Sequence, residues 1–332
     1  MAQYNVYALG NALLDIEYHS TEKQLKELSI EKGIMTLIDH EQHQSLVVKL
    51  GDSHEKMACG GSAANSLIAL CDFGGTASFG CRVADDSSGH YYIEDLKKSN
   101  VESNAGEHLH QGHTGQCLVF VTPDADRTMN TYLGASAELT PHVVDQRVIE
   151  NADYVYLEGY LVTGDDTRNA AIKAHQIAQQ SNTKVALTLS DPAMVQFFRK
   201  GILEMMGDGV DLLFANEEEM LQLAQTQHFE EAVENIKSYC KSFAITRGAK
   251  GALVFDGENT YEVEPYEVTA IDTLGAGDSF AGAFLYGITH GMDFAQAGKL
   301  ASMTSSKLVT QFGPRLHKSE IKQLLAEFNT GI

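Results

Sequence analysis

The residues best arranged for chemistry lie together in Asp272-Thr273-Leu274-Gly275-Ala276-Gly277-Asp278-Ser279-Phe280-Ala281-Gly282. Two glycines flank an alanine just ahead of an aspartate. The apolar run from Phe280 to Ile288 follows and is ended by His290-Gly291. That order predicts a tight turn opening a buried helix, with a glycine past the last turn. The first N–H groups of a helix have no partner within it and carry partial positive charge, so such a turn can receive an anion. Bare glycines let a phosphate reach the backbone. Asp278 stands where the helix dipole favours an ionised carboxylate that could take a proton from a hydroxyl. An anion cradle beside a carboxylate base is what phosphoryl transfer to an alcohol requires. A plain turn with an aspartate cap has the same letters, so the motif needs support from the rest of the chain.

Four further stretches carry candidates. Gly10-Asn11-Ala12-Leu13-Leu14-Asp15 follows the β-rich run Tyr4 to Leu9, and Asp15 alone reads as a strand-end cap. Cys59-Gly60-Gly61-Ser62-Ala63-Ala64-Asn65-Ser66 runs into the apolar Leu67 to Leu70; paired glycines before a helix let a ligand approach, and Ser62 and Asn65 share one helical face. Asn216-Glu217-Glu218-Glu219 is an asparagine cap with acids in the first turn, or a set of acids near a hydrated cation. Thr246-Arg247-Gly248-Ala249-Lys250-Gly251 is a glycine-shaped turn. None of the glycine runs ends in Gly-Lys-Ser/Thr or forms Gly-x-Gly-x-x-Gly, which excludes a P-loop and a dinucleotide fingerprint. His108, His110 and His113 lack acids at ligand spacing and read as wet loop residues.

The elements that must position these residues alternate. Tyr154 to Leu157, Lys184 to Leu189, Leu212 to Phe214, Phe243 to Thr246 and Ala252 to Phe255 read as strands. Thr167 to Ser181, Val195 to Met206 and Glu217 to Gln225 read as helices between them. Such spacing predicts an α/β fold with a mostly parallel central sheet and helices on both faces. Between Ser103 and Leu139 the pattern changes to short strands, with a hairpin of Gln116–Thr122 and Arg127–Leu133 around Pro123-Asp124-Ala125-Asp126. Helical patches at Glu22 to Leu28 and His40 to Leu50 flank an extended Ile34 to Ile38. No repeat or low-complexity linker divides the chain, so one domain over 1–332 is expected.

The chain has 332 residues, a formal net charge of −21 and 43% hydrophobic residues, which suits a soluble globular protein with ample core. That charge argues against nucleic-acid and anionic-membrane partners, though a local cradle with a cation can still hold a nucleotide. Five cysteines occur singly, as expected in a reducing cytoplasm, and neither a basic leader nor a long apolar run is seen. The expected location is cytoplasmic.

The run Asp272 to Phe280 resembles the C-terminal signature D-T-x-G-A-G-D-x-F of the ribokinase-like (PfkB) carbohydrate and nucleoside kinases, and every fixed position is present. The stretch from Gly60 through Gly74-Gly75, Phe79-Gly80, Val83 to Asp86 and Gly89 resembles their N-terminal signature. The resemblance spans essentially the whole chain. It implies a ribokinase-like fold with a small β-sheet lid, built from segments of about 16–58 and 104–138, which would shield the phosphoryl group from water. It implies Asp278 as base and Gly275, Ala276 and Gly277 as anion hole. Gly61, Ser62 and Asn65 become acceptor contacts, and Thr246, Gly248 and Gly251 ATP contacts. Asn216 and Glu219 match N-x-x-E, with Glu219 acting on Mg2+ through water. K+ is a candidate activator, and the chain a monomer or homodimer.

Gly10 to Asp15, Leu157 to Leu161 and Leu189 to Phe198 resemble adenosine kinases more than ribokinases or fructokinases. By that resemblance Asp15, with Asn11, holds the ribose diol, and a carboxylate offers the acceptors for it. Tyr160 stacks on a purine or is a core tyrosine. Arg127 reaches the transferred phosphate or is a surface arginine beside an aspartate. The implied reaction is ATP-dependent 5′-phosphorylation of adenosine. An inosine, guanosine or other nucleoside kinase and a sugar kinase stay open, as does a binder without turnover; a dehydrogenase is the weakest reading.

Overall fold

The computed structural model describes residues 2–51, 53–107, 109–124 and 127–330. His108, Ala125 and Asp126, about which the sequence raised expectations, lie outside the described residues. The strands are β1 (Tyr4–Leu9), β2 (Leu13–His19), β3 (Met35–Leu37), β4 (Lys56–Gly60), β5 (Ala77–Gly80), β6 (Val101–Ser103) and β7 (Gly115–Val121). They continue as β8 (Arg127–Tyr132), β9 (Ala152–Glu158), β10 (Lys184–Thr188), β11 (Val210–Asn216), β12 (Cys240–Thr246), β13 (Ala252–Phe255) and β14 (Thr260–Val263).

Nine strands form one sheet in the order β14-β13-β12-β11-β10-β9-β1-β5-β6, antiparallel only at β12–β13 and β13–β14. Alternation along the strands feeds two cores. Ala8, Tyr156, Phe214 and Ala244 point to one face, under the helices Ser62–Phe73, Ala276–Thr289 and Phe294–Leu308. Leu9, Leu157, Leu213 and Ile245 point to the other, under Asp165–Ser181 and Pro192–Met206. This is the expected mostly parallel sheet with helices on both faces.

Five strands form a second, small sheet in the order β3-β8-β7-β2-β4. Leu14, Ile16, Tyr18, Leu118 and Phe120 on one face pack on Leu25 and Leu46 of the helices Glu22–Glu27 and His40–Leu50. The period of two puts Leu13, Asp15 and Glu17 on the opposite face. The helix Ala276–Thr289 is anchored through Phe284, which meets Phe214, Phe280 and Phe294 with ring centroids 5.6, 6.1 and 5.3 Å away. Truncating such a buried ring costs about 3–5 kcal/mol, so the start of this helix rests on a stiff core. Among the described residues no helix is long and apolar enough to cross a membrane.

Candidate active site

A cavity of about 710 Å³ opens where the two sheets face each other. One wall is the carboxyl edge of the large sheet: Asn11 after β1, Glu158 ending β9, Thr188 ending β10, Asn216 ending β11 and Thr246 ending β12. Open α/β sheets bind ligands at this edge. The other wall is the open face of the small sheet, with Asp15, Met35, Cys117, Val119 and Met129. Gly61, Ser62 and Asn65, then Gly275, Ala276, Gly277 and Asp278, line it from two helix starts, and Tyr160, Arg127 and Glu219 line it as well.

Gly275 precedes the helix with φ 74°, and a Cβ there would stand 2.6 Å from the Pro314 carbonyl oxygen, so only glycine makes this turn. Around the Cβ position of Gly277 no heavy atom lies within 4 Å, leaving room for an anion over the backbone. The Ala276 amide donates to the Thr273 carbonyl at 3.2 Å, so an anion would compete for it.

Asp278 receives the Ser62 hydroxyl at 2.6 Å and the Asn65 amide at 3.1 Å. The sequence predicts a carboxylate held ionised by the helix dipole. In the structure burial raises its pKa, and the donations of Ser62 and Asn65 together with the charge of Arg315 partly oppose the rise. Ser62 and Asn65, expected at the acceptor, are thus hydrogen-bonded to Asp278.

Asp15 is not a strand-end cap. It sits inside β2, facing β4, and a Cβ on Gly60 would meet its carboxylate at 2.3 Å. Burial pushes its pKa up to about 7, with Arg315 and Arg127 opposing and Asp278 and Glu17 reinforcing. Glu158, fully buried, accepts the amides of Asn11 at 2.7 Å and Ala63 at 2.9 Å, so it clamps both glycine-led segments to β9. Burial raises it to about 7 as well, against those two hydrogen bonds.

Arg127 lines the cavity with Nη2 2.9 Å from Asp272 Oδ2 and Nη1 3.3 Å from Glu17 Oε2. It bridges the small sheet to the turn that precedes Gly275. Asp272 in turn accepts the amides of Leu274 at 3.0 Å and Gly313 at 2.8 Å. Tyr160 is part-buried, its hydroxyl 3.5 Å from the Ser190 carbonyl, with its ring between the cavity and the core. Asn216 and Glu219 form a reciprocal cap: Glu219 accepts the Asn216 amide and side-chain NH2, both at 2.9 Å, and Asn216 accepts the Glu219 amide at 2.8 Å. Burial raises Glu219 to about 7.

Thr246 lines the cavity, but Gly248 and Gly251 do not. They shape the turn between β12 and β13, at φ 56° and 84°, where the Arg247 amide donates to the Gly251 carbonyl at 2.8 Å. The turn follows directly on Thr246, and the space around Gly248 is open. His113 is an exposed loop residue, as expected, with its ring stacked on His40 at 4.7 Å, whereas His110 is half-buried 2.5 Å from Glu138.

The sequence reading missed three groups. Glu158 carried no role, although a glutamate closing an apolar strand is a signal of a buried polar anchor. Asp272 was read only as a motif letter. Arg315 belongs to no motif, yet its Nε donates to Asn65 Oδ1 at 3.0 Å.

Residues 32–321 match the family described as pfkB family carbohydrate kinase. The chain is 28% identical to an adenosine kinase of Schizophyllum commune, over 94% of this chain and 98% of the relative. It is similar to the crystal structure of a probable sugar kinase from Rhizobium etli CFN 42, at 35% identity and a TM-score of 0.89, covering 100% of this chain and 99% of that one. It is similar also to an adenosine kinase from Sinorhizobium meliloti, at 34% identity and a TM-score of 0.88, covering 97% and 99%.

Proposed function

The chain belongs to the pfkB family of carbohydrate kinases, and we propose that its acceptor is the 5′-hydroxyl of adenosine. It is a phosphotransferase acting on a hydroxyl group of a nucleoside or sugar, with ATP as donor. In the reading that the site supports best, the acceptor oxygen attacks the γ-phosphorus, its proton passes to Asp278, and ADP leaves. Gly275 and Gly277 present backbone amides to the phosphoryl oxygens, with Ala276 joining once its amide leaves Thr273. Asp15 and Asn11 hold the ribose hydroxyls, and Gly61 lets the sugar approach.

Bound Mg2+ would neutralise charge building on the phosphates. The donors suit it: Asn216 and Glu219 are oxygen-bearing groups at the cavity edge, and a cation that keeps its waters needs no more than such outer partners. Thr246 borders the nucleotide end. Arg127, released from Asp272, would reach the transferred phosphate. The small sheet acts as a lid whose open face excludes water from the reacting centre.

One observation carries adenosine over a bare sugar. Leu13, Met35, Leu37, Val119 and Met129 make the small-sheet wall apolar, and Tyr160 lines the cavity with them. A purine buries that wall and stacks on a ring, whereas ribose leaves it wet. The test compares kcat/KM for adenosine, inosine, guanosine, cytidine, ribose and fructose at one Mg-ATP concentration. Adenosine should lead. Ribose or fructose in first place makes this a sugar kinase, and another nucleoside in first place moves only the choice of base.

A further inference from the structure

We infer that Arg315 is a positioning residue for phosphoryl transfer: by donating to Asn65 Oδ1 it turns the Asn65 amide so that its NH2 faces Asp278. The inference rests on the reading of Asp278 as base. A guanidinium has five N–H donors and no acceptor, so only the oxygen of Asn65 can face it. With Arg315 Nε 3.0 Å from Asn65 Oδ1, the NH2 is left to meet Asp278 Oδ2 at 3.1 Å. The flipped amide would set donor against donor at one end and acceptor against carboxylate at the other.

Arg315 is held so that it can impose this choice. Its Nη2 donates to the Cys59 carbonyl on β4, and its Nη1 lies 3.4 Å from Asp95 Oδ2. Asp95 is itself fixed by the Cys59 amide at 3.1 Å and the Cys59 thiol at 2.8 Å. The turn that carries Arg315 reaches the rest of the site as well, through the Gly313 amide on Asp272 and the Pro314 carbonyl against Gly275. Lysine could not copy this, because one ammonium on a flexible stem has no planar fork for three separate partners.

The groups around Asp278 make the orientation matter. The carboxyls of Asp15 and Glu158 and the hydroxyls of Tyr156 and Tyr160 stand near it, while Arg315 favours its ionised form. Without the fork, the Asn65 donation becomes optional and the base loses both its aim and a source of acidity. Loss of an opposite charge and of a donor raises a carboxyl pKa, so the acidic limb of the rate profile moves to higher pH.

The experiment uses the full chain with Mg-ATP and adenosine, and follows kcat, KM and the pH profile. Arg315→Met should lower kcat about tenfold to a hundredfold, with KM for adenosine within about threefold of wild type. Its acidic limb should rise by about half a unit or more. Arg315→Lys should restore the limb more than kcat, since it keeps the charge without the fork. On an Asn65→Ala background, Arg315→Met should cost less than about twofold further, because the two act in series. Wild-type kcat and limb in Arg315→Met overturn the inference, as do losses that multiply in the double variant. Should the Met variant not fold, the Lys variant decides by the same kcat and limb. Asp278→Asn is run in parallel: activity there removes the base and this inference together. An inactive Asp278→Asn beside a wild-type-like Arg315→Met removes this inference alone.

Discussion

The two walls of the cavity are built on different principles. The wall with Gly275, Gly277 and Asp278 is backbone geometry at the start of a helix sunk in the larger core, and its side chains are tied by Ser62 and Asn65. The wall with Asp15 and Arg127 is a thin sheet with one covered face, joined to the turn through the pair of Arg127 and Asp272. In the proposed reading the helix wall acts on the reacting phosphoryl group, while the small sheet, with Asn11 and Tyr160 from the large-sheet edge, chooses the acceptor. Reaction and selection would then be largely separable.

Substitutions can break that separation. The largest effect is expected for Asp278→Asn, where loss of a general base typically costs about 10²–10⁴-fold in kcat while ATP still binds. More than half of the wild-type kcat in a steady-state assay would show that the helix wall does not house the base. Next comes Asp15→Ala, which removes a charged acceptor worth roughly 1.5–3 kcal/mol. The KM for adenosine should rise about tenfold to a hundredfold with the KM for ATP nearly constant; an equal rise in both contradicts the division of labour.

A smaller effect is expected from pH. Glu158 has a folded-state pKa near 7, above the ordinary 4.5, so the native chain holds its proton longer than the unfolded chain does. Its contribution is full below pH 4.5 and is lost as pH climbs through about 7, by at most about 1.4 kcal/mol per unit for one group. Denaturant unfolding of Glu158→Gln should show a flatter fall in stability between pH 5 and 7; an unchanged slope means that the clamp is not what titrates. The smallest effect is expected for Gly248→Ala. The position is left-handed, and a Cβ there meets nothing within 4 Å, so about 1 kcal/mol of strain should appear in Tm. A KM for ATP shifted more than about twofold would return Gly248 to the nucleotide site.

How much of this could be read from the letters follows the same division. The helix wall was legible because the turn glycines and Asp278 are neighbours in the chain, and local geometry needs only local sequence. The hairpin of β7 and β8 was legible for the same reason. Asp15 taken alone looked like an end cap, and only the family resemblance pointed it to the sugar site; the structure puts it inside β2 on the face that lines the cavity. Glu158 reaches Asn11 and Ala63 across 147 and 95 residues, and no spacing rule covers such distances. The upward shift of Asp278 was not legible because the dipole is visible in sequence whereas desolvation depends on what the fold brings over the group. Gly248 and Gly251 share letters with a ligand loop, and both hold left-handed positions in the turn after β12.

The Gly313-Pro314-Arg315 turn also bears on the order in which the molecule becomes competent. Arg315 meets Asn65 and Cys59 across 250 and 256 residues, near the carboxyl end of the chain. Every strand of both sheets is complete by Val263, so a chain made from its amino end could assemble the two sheets before the helix of Asp278 and this turn are added. The entropy of closing so long a loop grows only slowly with length, yet such contacts form late because they are the least local. In a chain that folds in this order, the hydrogen bond that orients Asn65 toward Asp278 is among the last contacts of the cavity to form.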